Sequence, residues 1–486
     1  MMKDCAGWAL ETAKRRGASY ADARVMDIRS REVATKNGEV GALLESESLG
    51  IGIRVIASGA WGFSSTDRLT REGVQSCAAE AVAIAKASAL AKRQKVALTP
   101  ERVYVDTWQN PFLKDPFRVP VERQLSLLLA ADKEMRRVKG VTVAEGSMSF
   151  RRIEQLFAST TGSSIHQLKM HSGAGIVATS FAASDIQKRS YPNSFGGQHM
   201  LAGYELVESL DLVAHAPRIA EEAVALHSAA QCPEGQRTII LDSSQLGLQI
   251  HESIGHPVEL DRVLGMEANF AGMSFLTTDK LRKLQYGSEI VNVVADARLE
   301  HGPGLGTFAY DDEGVPAQCT RIVSDGLFTG YLTSRDTAGT IGEKRSNGAV
   351  RAESWNRLPI IRMTNISLDP GTWKYEDLVA DSEDAILMET NRSWSIDDRR
   401  YHFQFSTEIG WEIRNGKKTR MLKNPSYSGI TTEFWNSCDA ICSRDYWTLW
   451  GTPNCGKGQP MQTMGTGHGA SPARFRNVKV GVAFAR

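Results

Sequence analysis

The stretch Gln249-Ile250-His251-Glu252-Ser253-Ile254-Gly255-His256-Pro257 places two histidines and a carboxylate within six residues, directly after an apolar segment. Neutral imidazoles are the commonest protein ligands of zinc, and a glutamate beside them is well placed to take a proton from an activated water. The spacing imposes a structural demand. In a regular helix, advancing by roughly 100° per residue, two side chains at i and i+4 nearly share a face, whereas at i and i+5 they stand about 140° apart. For His251 and His256 to meet one ion, the helix must carry a one-residue π-bulge or unwind before the second histidine. Gly255, a weak helix former tolerant of unusual dihedrals, and Pro257, which disfavours helical geometry at His256, both favour a break. A short motif of this kind also arises where histidines merely cap a helix end, so spacing alone leaves both readings open.

Catalytic zinc takes three protein ligands and leaves a position for water. The remaining histidines are 166, 171, 199, 215, 227, 301, 402 and 468, and the acidic candidates are Glu259, Asp261, Glu300, Asp311, Asp312 and Glu313. Cys455 is a thiol in a Gly-rich loop beside Lys457, whose charge favours the thiolate that a metal needs. The third ligand can come from anywhere in the fold, so spacing does not choose among them. Asp311-Asp312-Glu313-Gly314-Val315-Pro316 has two readings, a cation or amine site and a solvated acidic turn.

A chain of 486 residues is too long for one ordinary core, and two or three domains are expected. With 57 basic and 56 acidic residues the net charge is +1, which gives no electrostatic reason to expect nucleic acid or a membrane surface as partner. Neither a signal-peptide core nor a charge-free apolar run of about 20 residues is read in the sequence, and a cytoplasmic location is expected. Seven scattered cysteines do not form a disulfide framework.

The pattern predicts an α+β protein. A helix over 2–16 precedes strand-like segments at 23–28, 32–35, 41–44 and 51–55, with Asn37-Gly38 as a hairpin turn. Helices follow over about 69–92 and after Pro120, the latter with Val121, Leu125, Leu128, Asp132 and Met135 on one face. Strands span 141–182, so helix-then-meander occurs twice and hints at an internal duplication. A helix over 217–230 ends at Cys232-Pro233-Glu234-Gly235, the expected domain boundary. The division is therefore 1–232, an α/β domain of helices and antiparallel strands, and 233–486, a mostly antiparallel, barrel-like β domain that carries the motif helix near its start.

His251-Glu252-Ser253-Ile254-Gly255-His256, Asp311-Asp312-Glu313-Gly314-Val315-Pro316, Arg362-Met363-Thr364-Asn365 and Cys455-Gly456-Lys457 stand in one order along the chain. In these four motifs, and over essentially its whole length, the chain resembles the TldD/PmbA family of metalloproteases, in its metal-bearing TldD branch. The resemblance implies one zinc ion held by His251, His256 and Cys455, with Glu252 as catalytic base. It also implies short or unfolded peptide substrates, bound in extended form in a chamber enclosed by a dimer. The partner would be a second copy or a metal-lacking TldE/PmbA-like sibling. The residues following Cys455 differ from those of members known for such pairing, so homodimer and heterodimer both stay open. His468 receives no role from the resemblance. Two rival readings are a peptide-binding, chaperone-like subunit and a zinc amidase acting on a small molecule.

Overall fold

Asn37 and Gly38 both have positive φ, 51° and 85°, the backbone that a two-residue hairpin of primed type requires. The strands they join are longer than alternation suggests. β1 (Tyr20–Lys36) and β2 (Glu39–Ala57) each run unbroken, so 23–28 and 32–35 form one strand and 41–44 joins 51–55. The structure is a computed structural model and describes residues 1–92, 94–183, 185–270 and 272–483.

The hinted duplication appears as topology. Helix α1 (Met2–Arg15), β1, β2, β3 (Ala60–Thr66) and α2 (Arg71–Ser88) make one set. Helix α3 (Val121–Arg137), β4 (Val143–Ser159), β5 (Ser164–Ala182), β6 (Asp185–Tyr191) and α4 (Leu212–Ala225) make the next. Six of the eight strands of the first sheet run in the order β3-β2-β1-β4-β5-β6, so corresponding strands sit at matching distances from the antiparallel β1–β4 pair. Helices α1 and α2 share one apolar core against it, and α3 and α4 another. Asp132, the polar exception on the apolar face of α3, is fully buried and accepts hydrogen bonds from the Gly38 N–H (3.0 Å) and Arg136 Nε (2.5 Å). It clamps the hairpin turn to the helix. Helix α4 starts earlier and ends earlier than 217–230. Its apolar face begins at Leu212, and beyond Leu226 the chain is drawn into a short strand, Ala230–Gln231, paired with Lys417–Lys423.

The second half follows with β7 (Gly235–Leu241), α5 (Ser243–Ile250), β8 (Val293–Asp296), β9 (Cys319–Ser324), β10 (Leu327–Phe328) and β11 (Asn365–Leu368). It ends with β12 (Asp384–Ile396), β13 (His402–Arg414), β14 (Pro425–Ile430), β15 (Thr448–Lys457), β16 (Gln462–Ala470) and β17 (Ala473–Val482). Strands β12-β7-β17-β14-β13 close into a five-stranded barrel, because β13 also pairs with β12. A second sheet has the order β10-β9-β8-β11-β16-β15. The protein is thus α+β with a barrel-like sheet, and α5 enters directly from barrel strand β7. All seven cysteines are free thiols. No helix among the described residues is long and apolar enough to cross a membrane.

Asp311-Asp312-Glu313 is neither a cation site nor a solvated turn. All three side chains are buried. Asp311 accepts from the backbone N–H groups of Glu313, Val315 and Val350 at 2.9, 2.9 and 3.1 Å, which fixes the turn. Asp312 accepts from Gln155 Nε2 (2.7 Å) and stands 3.7 Å from Arg24, while Glu313 pairs with Arg54 at 3.1 Å. These partners lie on β4, β1 and β2, so the acidic run locks the second half of the chain onto the first sheet. Removing one member of a buried pair strands the other charge, at a cost of about 3–5 kcal/mol. Asp312→Ala is expected to lower unfolding stability in urea by that amount. Replacing the exposed Asp67 is expected to change it by less than about 0.5 kcal/mol. Equal midpoints for the two variants would refute the interlock.

Candidate metal centre

Helix α5 starts on Asp242, whose carboxylate accepts from the N–H groups of Ser244 (3.1 Å) and Gln245 (3.0 Å), as an N-cap does. Leu246 and Ile250 anchor it in the core. The next five residues, His251–Gly255, form a π-helical turn, and the His256 N–H bonds the His251 carbonyl at 3.1 Å, an i→i−5 bond. Of the two deformations the spacing allows, the bulge is the one taken. His256 keeps helical dihedrals (φ −66°, ψ −43°) despite Pro257, because the i→i−5 bond offsets the local preference. The widened turn exposes main-chain groups to the core, and the buried Tyr286 hydroxyl donates to the Ser253 carbonyl at 2.6 Å. Gly255 has no positive φ. Its role is close approach, since a Cβ there would lie 2.1 Å from Met363 Sδ.

With the bulge in place, His251, His256 and Cys455 converge. Their ligand atoms lie within 4.8 Å of one another, and all three side chains are buried. Cys455 Sγ is 3.6 Å from His256 Nε2. Bond lengths of roughly 2.3 Å for Zn–S and 2.0–2.1 Å for Zn–N, at a tetrahedral angle, require a separation of about 3.6 Å. The donor set suits zinc, and the Cys455–His256 separation is the one a shared tetrahedral ion requires. Burial alone would raise the Cys455 thiol, but the fields of His251, Arg362 and His256 outweigh it and hold the thiol well below its ordinary range. The charge that favours the thiolate is thus not Lys457, as adjacency in sequence suggests.

Each imidazole has a fixed partner on its other nitrogen. His256 Nδ1–H donates to Glu259 Oε2 at 3.0 Å, and His251 Nδ1 faces His468 Nε2 at 2.7 Å. Such partners orient metal-binding histidines. Lys457 is fully buried and bonds both carboxylate oxygens of Asp261 at 2.9 Å, with Glu267 at 3.1 Å and Glu259 at 3.5 Å. It neutralises the carboxylates behind His256. Arg362 donates to the carbonyls of Cys455 (2.5 Å) and Gln462 (3.2 Å), tying β15 and β16 to the segment that carries Met363.

Glu252, next to His251 in the turn, is buried, and its Oε2 accepts from Arg400 Nη1 at 2.6 Å. Arg400 lies on a loop in a left-handed conformation (φ 64°), which is costly for a non-glycine residue and recurs at functional sites. Of the residues the sequence singles out, the structure brings His251, His256 and Cys455 together and buries Glu252. Sequence reasoning missed Arg400 altogether, and it raised Glu259 and His468 only as ligands. The cue for Glu259 was local, since it falls three residues after His256.

Comparisons with known proteins agree with this architecture. The family model described as the PmbA/TldA metallopeptidase C-terminal domain matches residues 234–481, and that of domain 1 of the same metallopeptidase matches residues 21–85. The chain belongs to the PmbA/TldD metallopeptidase family. It is 29% identical to a metalloprotease of Methanocaldococcus jannaschii, over 93% of this chain and 95% of that one. It is 26% identical to a protein of Haemophilus influenzae named as a metalloprotease TldD homolog, over 87% and 84% of the two chains. Among solved structures, TldE from Thermococcus kodakarensis shares the fold with a TM-score of 0.71 at 15% identity, covering 98% of this chain and 99% of that one.

The contact at Gly255 yields a test. Gly255→Ala forces Met363 to move, and overpacking of this kind costs about 1–3 kcal/mol. At Gly247, on the same helix, a Cβ meets nothing nearer than 3.6 Å, so Gly247→Ala is expected to be neutral or stabilising by up to about 1 kcal/mol. Thermal unfolding of the two metal-free variants checks this contrast. Equal stability would show that Gly255 is not needed for close approach.

Proposed function

We propose that this chain is a zinc-dependent metalloprotease that hydrolyses short or unfolded peptides. The observation that carries the reading is the convergence of His251, His256 and Cys455, with Glu252 buried beside them. The relatives from Methanocaldococcus jannaschii and Haemophilus influenzae are both named metalloproteases, which supports the reaction class. His251 Nε2, His256 Nε2 and Cys455 Sγ would hold the ion. When bound, zinc would supply Lewis-acid activation of water and of the scissile carbonyl. Glu252 would accept the water proton on its carboxylate and return it to the leaving amine. Arg400 would hold that carboxylate in one orientation and add positive charge where negative charge develops. Burial of the ligands and of Glu252 keeps bulk water from the charges they carry.

The substrate would bind as an added strand, held by main-chain hydrogen bonds that any extended peptide offers and a folded one does not. Strand β15, which carries Cys455, is the terminal strand of its sheet and supports this mode. We further propose a dimeric chamber in the cytoplasm, formed with a second copy or a TldE-like sibling. The fold shared with TldE supports that pairing.

The test compares wild type with Glu252→Gln, using denatured casein as substrate and the metal-to-protein ratio as a second readout. Loss of a general base costs about 10²–10⁴-fold. The variant is expected to keep its metal and to lose turnover by that factor. Equal cleavage by both proteins would remove Glu252 from the mechanism. Binding without cleavage by either would favour a chaperone-like subunit, and turnover of small amides alone would favour an amidase.

A further inference from the structure

His468 is fully buried on β16, in contact with the metal cluster yet outside it. Its Nδ1 lies 3.2 Å from the carbonyl of Ile366, on β11, and its Nε2 lies 2.7 Å from His251 Nδ1. A main-chain carbonyl only accepts, so the Nδ1–Ile366 bond places the proton of His468 on Nδ1 and leaves a lone pair on Nε2. The 2.7 Å contact then requires His251 to donate from its own Nδ1, which leaves the lone pair of His251 on Nε2. We propose that His468 is a positioning residue, which sets the tautomer and ring orientation of His251 so that Nε2 is the atom offered to a cation. The proposal rests on the metal-centre reading above.

Other contacts agree with this role and exclude a simpler one. Both ring nitrogens of His468 are engaged, Nδ1 with the Ile366 carbonyl and Nε2 with His251, and the residue lies outside the clustered donor set. His468 therefore does not act as a fourth ligand. Thr466 Oγ1, 3.1 Å from His468 Nε2, is a second contact on the same nitrogen. The two ligand histidines are thus held differently. His256 leans on a carboxylate, Glu259, which Lys457 and Arg262 balance. His251 leans on a neutral imidazole, which adds no further negative charge beside the Cys455 thiolate and Glu252. The relay also ties the Arg362-Met363-Thr364-Asn365 motif to the centre, because Ile366 follows it directly.

Two amide substitutions separate the roles of the two ring nitrogens. In His468→Gln the amide reaches the place of Nε2 and offers an acceptor to His251. In His468→Asn the amide stays near the place of Nδ1, keeps the Ile366 contact and leaves His251 Nδ1–H without its acceptor. Zinc affinity is measured on the full chain by competition with a chelator, together with the visible and thiolate charge-transfer absorption of the cobalt(II)-loaded protein. Metal-free thermal unfolding reports folding. Loss of an orienting partner typically costs about 10–100-fold in metal affinity. His468→Asn is expected to lose affinity in that range and to alter the cobalt spectrum, while His468→Gln stays close to wild type in both. Wild-type affinity in His468→Asn, or equal loss in both variants, would overturn the proposal. If His468→Asn fails to fold, His468→Gln decides alone, through retention or loss of affinity and spectrum. A wild-type protein that binds no zinc would instead sink the metal-centre reading, and this inference with it.

Discussion

One hydrogen bond governs the centre, the i→i−5 bond from the His256 N–H to the His251 carbonyl. It inserts a residue into the turn and carries the second imidazole round to the side of the first. Without it, two histidines five apart would diverge and Cys455 would have no common point to meet. The bulge in turn depends on its packing. Met363 fits against Gly255 only because no side chain is there, and Tyr286 satisfies a carbonyl that the widened turn leaves facing the core. The centre is therefore a consequence of a local defect that the surrounding core stabilises.

Charge balance extends that dependence outward through three cations, Arg362 and Lys457 buried and Arg400 partly so. Arg400 orients Glu252, Arg362 fixes the main chain at Cys455, and Lys457 neutralises the carboxylates behind His256. A second buried network, from Asp312 and Glu313 to Arg24 and Arg54, joins the two halves of the chain. The motifs therefore divide by role. Two furnish the clustered imidazoles and thiol, one supports them from behind, and the acidic one holds the architecture together.

What the sequence reveals follows the range of each interaction. Spacing within the motif demands a deformed helix, because five residues and the helical period are both local facts. Asn37-Gly38 announces its turn for the same reason, and Asp325-Gly326 and Asn415-Gly416 likewise stand between antiparallel partners. Strand lengths are less legible. The exposed first half of β2 breaks the alternation while its backbone pairing continues. Side-chain partners across the fold are not legible at all. Arg400 meets Glu252 from 148 residues away, and His468 meets His251 from 217. Lys457 shows the hazard of adjacency, since it stands two residues from Cys455 in sequence yet turns to Asp261 in space. Asp132 shows the converse, a polar break in an apolar face that marks a buried contact with the Gly38 turn.

The central claim is that two imidazoles and one thiolate share a single ion. X-ray absorption at the metal edge, on protein purified with its native metal, reads that shell directly. The account expects one sulfur at about 2.3 Å and nitrogen or oxygen neighbours at about 2.0–2.1 Å, with zinc as the absorbing element. A shell of nitrogen and oxygen alone, or a sulfur signal that survives Cys455→Ser unchanged, would contradict it.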